Sequence, residues 1–234
     1  MRSAKRVGRI IGTLLCVQLA GLIVPFVLLH PLTTADFFTN AAASSSQIKV
    51  AVFLLLANCA LTIGISLVAW QQVFHRHSEA LALLLVAVSI IMFSLQAVDN
   101  AHLMSMLSLS EQYAQTGRAD EYFQTLAMVV RSTRKWVHYS ELLVIDSWIC
   151  VLYSMLYRSR LVPRALAAFG LMTVLLHFAA IPLPLFLGYS GMTQLGVPMA
   201  FSQLALAVWL MTKGFGEGHQ PEEDKTTDVE IAKA

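Results

Sequence analysis

Two short motifs carry the residue types that metal and acid–base chemistry need: Asp99-x-x-His102 and His138-x-x-Glu141. Residues three apart on an α-helix share one face, so each motif points a carboxylate and an imidazole in one direction. Imidazole nitrogen and carboxylate oxygen are common zinc ligands, and metal sites in helix bundles place such pairs on facing helices. A metal held there could activate water to hydrolyse a lipid-like substrate. Alternatively, Glu141 or Asp146, farther along the same run, suits a proton carrier in a small transporter or sensor. The candidate polar cluster is therefore Asp99, His102, His138, Glu141 and Asp146. Asp99, His102, His138 and Glu141 are its candidate metal-ligand set; the sequence names no cofactor, and the one such a set could take is a divalent metal such as zinc. The same residue types also serve as hydrogen-bonded helix-end groups at headgroup depth, where ionisable side chains cost little. His30 could join the group if its helix lies alongside, and His177 alone reads as a core histidine bonded to a backbone carbonyl.

The elements that carry these residues are membrane-length. Hydrophobic residues make up 57% of the 234 and charged residues only 13%, against about 25% charged in soluble domains. Val137 to Tyr157 has enough residues, at about 1.5 Å each, to cross a hydrocarbon core of about 30 Å. His138, Glu141 and Asp146 lie within that run and must face protein or a wet cavity. Five further apolar runs have comparable length, beginning near Ile10, Val50, Ala80, Arg164 and Val197. The first follows Arg2, Lys5, Arg6 and Arg9 and exceeds a signal-peptide core of about 7 to 15 residues, so it reads as an uncleaved span.

The third run continues in weaker form past Gln96 to Leu109 and is expected to overhang the bilayer, ending at the break Thr116-Gly117-Arg118. From Ala119 to Arg134, Tyr122, Phe123, Leu126, Val129 and Val130 recur at helical spacing, which predicts an amphipathic helix before the fourth span. Residues 30–48 read as a polar loop, and Pro182-x-Pro184 predicts a kink in the fifth span. The expected architecture is an all-α polytopic transmembrane bundle, with six spanning helices plus that amphipathic helix. It occupies residues 1–214, and residues 215–234 form a disordered acidic cytoplasmic tail.

Charge sets orientation and excludes one class of partner. The N-terminus, second and fourth loops and tail hold eleven Lys and Arg against five in the other loops, which places both termini in the cytoplasm. A net charge of +2 with no basic stripe excludes nucleic acid; the expected partners are the lipid bilayer and a small-molecule or lipid ligand. Cys16, Cys59 and Cys150 stand singly and read as buried apolar residues. No G-x-S-x-G, H-E-x-x-H, P-loop or G-x-G-x-x-G occurs.

Three stretches, in order and at their spacing, resemble a bacterial membrane family. They are Arg9-Ile10-Ile11-Gly12-Thr13-Leu14-Leu15, the loop Leu156 to Arg164 containing Arg158-Ser159-Arg160-Leu161-Val162-Pro163, and Leu204 to Gly214 containing Trp209-Leu210-Met211-Thr212-Lys213. The family is domain of unknown function 4386, and the resemblance covers roughly residues 6–216. It implies a polytopic helical protein of the bacterial inner membrane with no assigned activity. The chain departs from that pattern at Trp148, where a histidine is common, and at Gln203, where a glutamate often precedes the last run.

Overall fold

The computed structural model describes residues 2–34, 36–116, 121–188 and 192–216. The expected tail otherwise lies outside them, but Phe215 and Gly216 belong to the bundle. Phe215 is buried against Phe74, and the Gly216 amide donates to the Leu161 carbonyl at 2.8 Å.

The described residues form α1 (Arg2–Leu28), α2 (His30–Thr33), α3 (Phe37–Ala43), α4 (Ser45–Gln72), α5 (Glu79–Thr116), α6 (Glu121–Ser159), α7 (Arg164–Ala180), α8 (Pro182–Phe186) and α9 (Val197–Lys213). Six segments are long and apolar enough to cross a membrane, with α7 and α8 together making the fifth. The helix break at Ile181 falls immediately before Pro182, as the proline pair requires.

The spans alternate in direction and close into a ring in chain order: α1 packs on α4, α4 on α5, α5 on α6, α6 on α7, α7 on α9, and α9 back on α1. Glycines allow the last of these contacts. At Gly12 a β-carbon would sit 2.6 Å from the Met211 amide nitrogen and 2.8 Å from the Ala207 carbonyl oxygen. Gly8 faces the Gly214 backbone in the same way, so Gly8-x-x-x-Gly12 is a small-residue seam of the kind that joins membrane helices. Within the ring, Gly170 of α7 lies flat against the Tyr153 ring of α6, and Tyr153 is completely buried.

Two expectations from sequence are corrected. The amphipathic helix and the fourth span are one helix, α6, of 39 residues. At about 1.5 Å per residue it is nearly 60 Å long, about twice the hydrocarbon thickness. Charges at Arg131, Arg134 and Lys135 suggested a boundary, but neither Gly nor Pro occurs anywhere in α6, and charge alone does not end a helix. The α5 helix likewise runs without break for 38 residues and supplies the expected overhang.

Residues 30–48, expected as a loop, are largely helical. They form α2, α3 and the first turn of α4, with Leu32, Phe37, Ala41 and Ile48 buried against Leu103, Met106, Leu107 and Ala127 of the overhanging α5 and α6. This is a second hydrophobic core, capping the bundle at the end opposite the termini. The Ser45 hydroxyl donates to Glu111 at 2.6 Å and Ser110 to the Phe38 carbonyl, tying the cap to α5.

The glycine seam yields a direct test. Gly12→Ala should lower the thermal midpoint in detergent, because overpacking typically costs about 1–3 kcal/mol. Gly64→Ala, where a β-carbon meets nothing within 4 Å, should leave it unchanged or raise it by the helix preference for alanine.

Candidate functional site

Where α5 and α6 leave the bundle for the cap, their facing surfaces carry charge. Arg134, His138 and Glu141 follow one another at i, i+4 and i+7, so they line a single stripe of α6. That stripe faces Asp99 of α5. Arg134 Nη2 donates to Asp99 Oδ2 at 3.4 Å, and Arg134 Nε lies 3.3 Å from Asp99 Oδ1. The second approach is an ion contact without hydrogen-bond alignment, which leaves both atoms buried and unpartnered. One helical turn away, His138 Nδ1 stands 3.6 Å from Glu141 Oε2.

Burial differs sharply across the group. Asp99 and Glu141 are 2% and 3% exposed, whereas the His138 side chain is 47% exposed. One ligand atom each from Asp99, His138 and Glu141 lies within 4.8 Å of the others. Two carboxyl groups and one imidazole thus surround one guanidinium. The arrangement is a carboxylate pair at the bundle rim with an imidazole on its wet side, and such a set can hold a cation.

The structure brings together three of the four expected metal ligands. His102 is partly buried on α5 and is not in the group, and His30 is exposed. The sequence marks Arg134 only as the charged end of an amphipathic segment. Its i, i+4, i+7 spacing with His138 and Glu141 was the available signal.

Asp146 is engaged elsewhere. It is completely buried, and both its carboxylate oxygens lie 2.9 Å from Nδ1 of His177 on α7. The partner of His177 is thus a carboxylate where a backbone carbonyl was expected. Gly196 packs on the other edge of the ring, where a β-carbon would stand 2.9 Å from Cδ2 and 3.0 Å from Nε2.

Further polar groups fill the ring interior. Ser202 Oγ accepts from the Tyr153 hydroxyl at 3.3 Å and lies 3.1 Å from Thr173 Oγ1. Gln96 donates to Asn100 at 3.0 Å, and Asn100 donates to the Val52 carbonyl at 2.9 Å. Trp148 donates through Nε1 to Ser66 Oγ at 2.9 Å, and Gln203 is buried with its Nε2 unpartnered among the described residues.

A family model matches residues 10–214, nearly the whole described bundle. The chain belongs to DUF4386, a domain of unknown function. No curated protein and no solved structure matches it. Membership places this bundle among DUF4386 proteins but assigns no residue a role. Trp148 and Gln203, the two positions expected from sequence to depart from the family pattern, are both buried.

The Asp99–Arg134 contact defines a second test. Asp99→Leu should destabilise the protein by about 2 kcal/mol, below the about 3–5 kcal/mol of a fully buried pair because Arg134 is partly exposed. Removing both charges in Asp99→Leu/Arg134→Met should recover most of that loss. Thermal unfolding of the three proteins in detergent measures it.

Proposed function

We propose that this DUF4386 protein is a multi-pass protein of the bacterial inner membrane that binds a divalent metal ion, zinc being the best match, at the rim of its bundle. The observation that carries the reading is the convergence of Asp99, His138 and Glu141, whose ligand atoms lie within 4.8 Å of one another. Zinc takes such ligands at about 2.0–2.2 Å, so donors around it stand about 3.4 Å apart. Side-chain rotation would have to close the difference, and His138, with its side chain 47% exposed, has room to move. Three protein ligands beside solvent leave a fourth position for water. An ion held this way lowers the pKa of its water, and hydrolysis of a lipid-like substrate is the chemistry that would follow.

Charge asymmetry supports cytoplasmic termini. Lys5, Arg6, Arg9, Arg76, Arg158, Arg160, Arg164 and Lys213 gather at the terminal end of the ring, while Glu79 is the acidic residue described there. The cap and the proposed metal site then face the periplasm.

A second reading rests on a different observation. The buried pair of Asp146 and His177 has the character of a proton-binding site in a transporter, since ionisable groups at that depth are costly unless they serve a purpose.

Metal analysis separates the two. Protein purified in detergent and exposed to zinc should retain about one ion per chain. The ion should be lost in His138→Ala and in Glu141→Ala and kept in Asp146→Asn. Absence of zinc from the folded wild-type protein would reject the metal reading. Proton-driven flux in vesicles that disappears in Asp146→Asn would establish the transport reading.

A further inference from the structure

Beside the charged cluster, between α2 and the projecting part of α6, lies an open cavity of about 290 Å³ lined by Leu32, Thr33, Thr34, Met106, Arg131 and Arg134. Among the described residues, two guanidinium groups and no carboxylate line it. We infer that this cavity binds a phosphate group, with Arg131 and Arg134 as its anchors.

Arg131 is held in place. Its guanidinium lies 3.9 Å from the centre of the Phe37 ring, and Nη2 donates to the Thr34 carbonyl at 3.3 Å. A guanidinium has five donors, so this contact leaves most of them available. Among the described residues no carboxylate lies within 4.0 Å of Arg131, whereas Arg134 has Asp99. Arg131 is therefore a fixed positive charge with no ion pair among the described residues, and Arg134, paired with Asp99, keeps guanidinium donors that Asp99 does not engage.

The threonines cannot supply the donors. The Thr33 hydroxyl donates to the His30 carbonyl at 2.8 Å and the Thr34 hydroxyl to the Pro31 carbonyl at 3.1 Å. Recognition must come from the two arginines, whose planar forks match the oxygens of phosphate and can bind it bidentately.

Depth points to the same chemistry. Trp136, 57% exposed on α6, has the character of an interfacial anchor. Arg134 and Arg131 precede it by two and five residues, which places them roughly 3–8 Å farther along the axis. The headgroup layer is about 5–7 Å thick on each side of the hydrocarbon, so the cavity sits level with lipid phosphates. A phosphomonoester on a lipid and a free phosphate compound present the same group, and either can reach an open cavity.

The experiment uses the full chain in neutral detergent, titrated with inorganic phosphate and, separately, with short-chain phosphatidic acid; short-chain phosphatidylcholine serves as the reference. Saturable binding of at least one of the two phosphate probes is expected, weakened about tenfold or more in Arg131→Gln and in Arg134→Gln. Arg131→Lys, which keeps the charge and the stem over Phe37, should fall between wild type and Arg131→Gln. Lys49→Gln, at the same end but outside the cavity, should bind as wild type does. Competition by inorganic phosphate would identify a soluble phosphate compound as the natural source. Binding of the lipid alone would identify a headgroup. Failure of folded wild type to bind either probe, or equal losses in Lys49→Gln and Arg131→Gln, would overturn the inference. The metal reading is scored by zinc content, so the two can fail independently.

Discussion

A hydrocarbon slab offers no hydrogen-bond partner to a carboxylate, hydroxyl or amide, and each such group left facing lipid costs free energy that packing must recover. This constraint accounts for the order of the bundle. The helix with most to hide is α6, which carries Glu141 and Asp146, and it is the most buried and least apolar of the six spans. Its neighbours turn their own polar residues toward the same interior, so Asp146 meets His177, Tyr153 meets Ser202 and Trp148 meets Ser66. The outer surface is left to Phe26, Phe53, Met172 and Phe201, all strongly exposed in the isolated chain and suited to lipid.

What could be read from the sequence follows from the range over which each signal acts. Apolar length is a local property, and it located all six spans. Face along a single helix is also local, so Asp99 with His138 and Glu141 was foreseeable once α5 and α6 were taken as antiparallel neighbours. Rotation and axial offset between helices are not local. They are set by contacts such as Tyr153 on Gly170 and Gly12 on Met211, which no spacing rule reports. That is why Asp146 paired with His177 and His102 fell outside the cluster. The boundary expected near Lys135 rested on charge, and a run without Gly or Pro simply continued. The segment after α1 misled for the opposite reason: its Ser, Thr, Asn and Asp break up the apolar pattern, while Leu32, Phe37, Ala41 and Ile48 decide where it packs.

The two cores meet at the candidate site. The ring core lies within the span-length part of the helices, and the cap core lies beyond it, with α5 and α6 common to both. Asp99, Arg134, His138 and Glu141 occupy the stretch between them. Rigid helices running through the boundary hold these side chains at a fixed height more firmly than a surface loop would. The cap also gives Arg131 its aromatic support from Phe37 and its carbonyl acceptor from Thr34.

Because the ring closes in chain order, each span packs beside the one that precedes it in sequence, and the junction of α1 with α9 is the exception. Helices delivered to the bilayer one after another would find their partner already waiting, with little search. The glycine face of α1, however, would stay lipid-covered until α9 arrived. Assembly of this bundle therefore has a distinct final event, and the seam of Gly8 and Gly12 acts as its latch.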